Sequence, residues 1–125
     1  MPELSEEQRR QLQQLREAYE AELPEKVTGI ANAAAVLRLR DWDPAGVQEL
    51  HQLVHRLAGS SAIWGFTAVS KAANELEALV LTALEGTPRP RRDLSDAVRR
   101  LLEQLQHAVP PSPSRTAATR ASHHK

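Results

Sequence analysis

Asp43-Pro-Ala-Gly-Val-Gln-Glu-Leu-His-Gln-Leu-Val-His-Arg-Leu-Ala-Gly-Ser-Ser-Ala-Ile-Trp-Gly-Phe66 decides the fold of this chain. Asp43 followed by Pro44 is a helix start. The carboxylate can accept an orphan backbone N–H, and proline's fixed φ suits the first helical position. Val47, Leu50, Val54, Leu57 and Ser61 then recur at helical spacing and form one stripe. Trp64-Gly65 predicts the end, since glycine accepts the left-handed conformation that closes many helices. Gly59 is out of place in such a helix, because an interior glycine costs about 1 kcal/mol relative to alanine. It lies four residues after His55 and clears space beside that imidazole.

The same periodicity extends in both directions. Ser5-Glu-Glu-Gln8 has the form of a capping box. Leu12, Leu15, Tyr19 and Leu23 follow as an apolar stripe. Pro24 is expected to interrupt there and to start or kink a second helix, which carries Val27, Ile30, Ala34 and Leu37. Beyond Gly65, Val69, Ala73, Leu76, Val80 and Ala83 mark another helix, broken at Gly86-Thr-Pro-Arg-Pro90. A last helix should begin near Asp93 and carry Leu94, Val98, Leu101 and Leu105. Short connections between amphipathic helices force antiparallel neighbours. The predicted fold is therefore all-α, an up-and-down antiparallel four-helix bundle with an additional N-terminal helix. Residues 1–109 make the bundle, and 110–125 a disordered, basic Pro/Ser-rich tail.

Composition narrows the function classes. Hydrophobic residues are 41% of the chain but aromatics only 3%, so Leu, Val and Ala must fill the core. The absence of cysteine excludes disulfides, thiolate metal sites and cysteine nucleophiles. Residues 1–109 hold 13 Lys/Arg and 16 Asp/Glu, a net −3, which argues against nucleic acid as a partner. No apolar run approaches the roughly 20 residues of a membrane span. The polar, acidic start is unlike a secretory signal, so a cytoplasmic protein is expected.

On a helical wheel His55 falls roughly 120° from the centre of the stripe, on the flank. His51, Ala58, Gly59 and Ala62 share or border that side, and three of these are very small. The string His55-Arg-Leu-Ala-Gly-Ser-Ser-Ala-Ile-Trp-Gly65 resembles the signature of the histidine-containing phosphotransfer domain. That pattern runs His-x-Leu-Lys-Gly, two small residues, two variable ones, then an apolar residue and Gly. His55, Leu57, Gly59, Ser60, Ser61, Trp64 and Gly65 stand in place, and Ala72-Ala-Asn-Glu-Leu-Glu77 matches the family's next helix. The resemblance covers about residues 10–108.

The resemblance implies that His55 is the phosphoacceptor of a phosphorelay. Imidazole suits the task because its unperturbed pKa of about 6.5 leaves it neutral and nucleophilic near pH 7. Attack would come from Nε2, with Glu77, or Glu75 in its place, accepting a hydrogen bond from Nδ1–H and orienting the ring. His51, Arg56, Ala58, Gly59, Ala62 and Lys71 are the expected partner contacts, with Leu57 and Ile63 inside the bundle. One position departs: the family pattern has Lys where this chain has Ala58, so the side chain expected near the phosphoryl oxygens is missing. Arg56 and Lys71 are both open as substitutes.

No phosphate-binding glycine loop, Walker lysine or carboxylate cluster for Mg²⁺ is present, so autonomous kinase activity is not expected. No cofactor is expected either. Phosphate would arrive from a receiver aspartate or a sensor or hybrid histidine kinase and leave to a receiver aspartate, with the receiver supplying Mg²⁺. His51 and His55 have the i, i+4 spacing of a metal-binding pair. The intervening Glu of zinc proteases is absent, and no metal site is expected. Two alternatives share the fold: a receiver-binding module without phosphotransfer, and the phosphotransfer domain of a longer hybrid or chemotaxis-type kinase.

Overall fold

The structure, a computed structural model, describes residues 4–85 and 91–110. The predicted break at residues 86–90 and the predicted tail from residue 111 onward lie outside the described residues. Among those described, the chain is all-helical: α1 Glu6–Leu39, α2 Pro44–Ile63, α3 Thr67–Leu84 and α4 Arg91–Ala108. Residues Pro24–Val109 form the compact unit that carries the site, and the part of α1 up to Leu23 falls in a separate unit.

The separate N-terminal helix expected from Pro24 does not exist as such. Pro24 lies inside α1, whose 34 residues take in both predicted segments. Proline removes one backbone hydrogen bond and crowds the preceding turn, at a cost of about 3 kcal/mol. The apolar stripe keeps its phase across it: Tyr19, Leu23, Val27, Ile30, Ala34 and Leu37 are all buried. The start of α1 is the predicted capping box. Gln8 N–H donates to Ser5 Oγ at 3.1 Å, and Ser5 N–H donates to Gln8 Oε1 at 2.9 Å. Leu12 and Leu15, part of the same apolar stripe, are 44% and 56% exposed. A helical period identifies a stripe without saying what covers it.

Each end of α2 is held by identifiable bonds. At the start Gly46 N–H donates to Asp43 Oδ2 at 3.2 Å, and Pro44 occupies the first turn. At the finish Gly65 N–H donates to the Ala62 carbonyl at 3.1 Å and Phe66 N–H to the Ser61 carbonyl at 2.8 Å. These paired bonds close the helix around Gly65, whose φ is +80°. The end of α1 uses the same closure without glycine. Trp42 N–H donates to the Leu37 carbonyl at 2.8 Å, with Asp41 and Trp42 at φ 62° and 56°.

Within the compact unit α3 packs against both α2 and α4. Val54, Leu50, Leu76, Val80, Val69 and Leu105 are fully buried, and they come from these three helices. The α2 and α3 directions are antiparallel, since His55 meets Glu77 while Ala58 meets Ser70. The α4 helix begins two residues before the expected Asp93 and buries Leu94, Val98 and Leu105, with Leu101 half-buried.

Gly65→Ala should destabilise the protein by about 1 kcal/mol, because a Cβ in the left-handed region carries that order of penalty. Urea unfolding followed by circular dichroism measures it, and an unchanged midpoint would mean that the closure of α2 does not depend on glycine.

Candidate functional site

Leu57 and Val54 anchor α2 in the core, which turns His55 outward toward the α2–α3 edge. The His55 side chain is 69% exposed. Its Nδ1 lies 2.5 Å from Glu77 Oε2, a short hydrogen bond between α2 and α3. Leu76 is fully buried and fixes the turn of α3 from which Glu77 reaches across. An ionised carboxylate only accepts. A Glu77 carboxylate in that state would take its hydrogen bond from Nδ1–H of His55.

Glu77 Oε2 has a second neighbour, His51 Nε2, at 3.3 Å. His51 is one turn before His55. The two rings are nearly parallel, 16° apart, with centroids separated by 5.9 Å. His51 is much less exposed than His55, its side chain keeping 21% of its surface. The i, i+4 histidine spacing was the available sequence signal for this contact, but by itself it named no acceptor. Among the described residues no group of three or more acidic or histidine side chains is arranged to hold a metal ion. The 2.5 Å separation of His55 Nδ1 from Glu77 Oε2 is a hydrogen-bond distance. Two ligands about 2.1 Å from a shared ion would stand farther apart.

The helix beyond His55 is fastened from below. Ser70 Oγ, on α3, donates to the Ala58 carbonyl at 3.1 Å, a buried bond between the helices. Ser61 Oγ donates back to the Leu57 carbonyl at 2.6 Å within α2. Sequence reading found no role for Ser70; a lone serine on a helix carries no pattern that marks it. Its hydroxyl is satisfied only because a carbonyl of the neighbouring helix lies opposite.

The remaining expected contact residues separate into two groups. Gly59 and Ala62 are exposed and follow His55 along one side of α2, and a Cβ built on Gly59 would meet nothing within 4 Å. Lys71 is exposed on α3 and lines, with Ala62, Ser70 and Asn74, a shallow depression along the α2–α3 edge. Arg56 is exposed on another side, where it lines a cavity with Glu25, Lys26 and Gly29 of α1. Ala58 is a correction: it is 5% exposed, so it forms no part of a surface that a partner could touch. Ala58 falls on the side of α2 that faces α3, where its carbonyl accepts from Ser70. Ile63 is the opposite correction. It was expected inside the bundle, and it is 81% exposed at the last position of α2. It lies about 200° around the helix from buried Ser61, at 100° per residue.

A family model described as the Hpt domain matches residues 3–108, most of the chain. The chain belongs to the Hpt domain family. Membership implies a histidine phosphocarrier role in two-component signalling, with receiver domains and histidine kinases as the classes of partner. Hpt domains are phosphocarriers and not kinases. No curated protein matches the chain, and no solved structure does. No helix among the described residues of this Hpt domain is long and apolar enough to cross a membrane.

Two glycines of α2 should respond oppositely to alanine. At Gly46 a Cβ would come within 2.4 Å of Leu37 Cδ2 and 2.8 Å of Asp43 Oδ1, so Gly46→Ala should cost about 1–2 kcal/mol by overpacking. Gly59→Ala enters open space and should stabilise by up to about 1 kcal/mol through helix propensity. Thermal unfolding of both variants decides: a destabilising Gly59→Ala would mean that its Cβ is not directed to solvent.

Proposed function

We propose that this Hpt domain relays phosphate through His55. The observation that carries the reading is the 2.5 Å contact of His55 Nδ1 with Glu77 Oε2 on a ring that is 69% exposed. With the proton held on Nδ1, the Nε2 lone pair attacks the phosphorus of a receiver's aspartyl phosphate. The N–P bond forms as the P–O bond to the aspartate carboxylate breaks, and that carboxylate leaves with the electron pair. Positive charge develops on the imidazole and is countered by the Glu77 carboxylate. The reverse sequence delivers the phosphoryl group to the aspartate of another receiver. A histidine kinase is the alternative donor.

The chain's own contribution is orientation, exposure and a contact surface; in this reading Mg²⁺ belongs to the receiver, and the domain uses no cofactor of its own. Gly59 and Ala62 present small side chains next to His55, which lets a partner's surface come close to the ring. Lys71 is on the same edge of the bundle, whereas Arg56 lines the cavity beside α1. This favours Lys71 over Arg56 as the cation that meets the docked receiver. Residues 1–109 are the phosphocarrier unit in this reading, and the cytoplasm is its compartment.

Incubation with a phosphorylated receiver domain should load wild type with acid-labile, base-stable phosphate, and His55→Gln should take none. Glu77→Ala should slow uptake about 10- to 100-fold, the range expected for a lost hydrogen bond to a charged group. Receiver binding that survives His55→Gln, with no label on wild type, would instead support an interaction module without phosphotransfer. Lys71→Ala should weaken receiver binding a few-fold while Arg56→Ala leaves it unchanged; isothermal titration distinguishes the two, and the reverse order would move the docking surface to the α1 side.

A further inference from the structure

Glu77 has a task that its own side chain does not accomplish alone. It must hold a carboxylate oxygen against an exposed imidazole, yet a glutamate has three rotatable side-chain bonds and water competes for its oxygens. A single bond to His55 leaves two mobile groups fastened only to each other. The structure supplies a third group. His51 Nε2 lies 3.3 Å from the same Oε2 that His55 Nδ1 approaches, and the His51 ring is the better enclosed of the two, 21% against 69% exposed.

We propose that His51 is a positioning residue, whose Nε2–H holds the Glu77 carboxylate where it accepts the His55 Nδ1 proton and so fixes the tautomer of His55. This rests on the reading of His55 as the phosphoacceptor, and it concerns what readies that ring before phosphate arrives.

The chemistry at each atom follows from the acceptor. A carboxylate oxygen carries two lone-pair sites and donates nothing. Nδ1 of His55, which hydrogen-bonds it, presents its hydrogen there, and Nε2 of His51, 3.3 Å from the same oxygen, is placed to present a second. The helix makes the pairing possible. Residues four apart lie one above the other on a helix face, and the near-parallel rings direct one edge each toward α3. His51 thus belongs to the site through Glu77, one residue removed from the reacting nitrogen. A histidine packed half-buried on a bundle edge would need no carboxylate at its Nε2. A histidine in the docking surface would need an exposed ring. His51 has the carboxylate and the enclosure together.

The two ring nitrogens of histidine give separate ¹⁵N NMR signals that report which carries the proton. The test uses the full, unphosphorylated chain at a pH above imidazole titration, so it requires no phosphate donor. Wild type should show His55 protonated on Nδ1. Gln places an amide N–H near the position of histidine Nε2, and His51→Gln should retain that tautomer. Asn reaches only the Nδ1 position, and Leu donates nothing. His51→Asn and His51→Leu should shift His55 toward the Nε2–H form that free imidazole favours. In transfer assays these two variants should lower kcat about fivefold, the factor that one ordinary hydrogen bond supplies, with KM for the receiver unchanged. Circular dichroism confirms that each variant is folded.

Rescue by Gln but not Asn supports the proposal. An unchanged His55 tautomer in all three variants would overturn it, and so would equal loss in Gln and Asn, which would indicate packing. A rise in KM with kcat intact would make His51 a docking residue and also overturn it. Should wild type accept no phosphate while the tautomer pattern holds, the phosphoacceptor reading fails and the hold of His51 on Glu77 stands.

Discussion

The bond from His55 Nδ1 to Glu77 Oε2 constrains everything around it. It joins two helices, so it exists only if α2 and α3 pack in one register. That register is set by the fully buried Val54, Leu76 and Val69 and by the Ser70 hydroxyl on the Ala58 carbonyl. A slip of one helical turn would carry Glu77 about 5.4 Å from the ring. The core of this Hpt domain thus has a chemical consequence as well as a stabilising one, since it sets Nδ1 of His55 against the Glu77 carboxylate.

The buried stripe divides α2 into two faces. Val47, Leu50, Val54, Leu57 and Ser61 are buried, and their burial directs His55, Gly59 and Ala62 outward along the edge shared with α3. Small side chains lie along that edge beside the exposed ring. Gly59 weakens the helix in the process, and the interhelical and back-bonded serines fasten the same turns from the inside.

Much of this was legible in the sequence. Asp43-Pro44 and Trp64-Gly65 bounded α2 because caps and left-handed closures have residue signatures, and Asp43 and Gly65 act as those signatures imply. Position 77 could be named because a family pattern placed it, whereas its distance from His55 depended on packing. Pro24 misled because the local penalty of proline was weighed without the apolar stripe that runs through it in phase. Ile63 was misplaced because it lies at the last position of α2, on the side away from Ser61, and Ala58 for a tertiary reason. The width of a helix's buried face depends on how many neighbours flank it, and that is a tertiary fact. His51 was read as a partner contact, since its spacing from His55 does not reveal which acceptor lies opposite.

The most direct measurement of the central claim is ³¹P and ¹⁵N NMR of the phosphorylated, folded domain, resolving which nitrogen of which histidine bears phosphorus. The account predicts one phosphorus, bonded to Nε2 of His55, with Nδ1 still protonated against Glu77. Phosphorus on Nδ1 of His55, on His51, or on any other residue would contradict it.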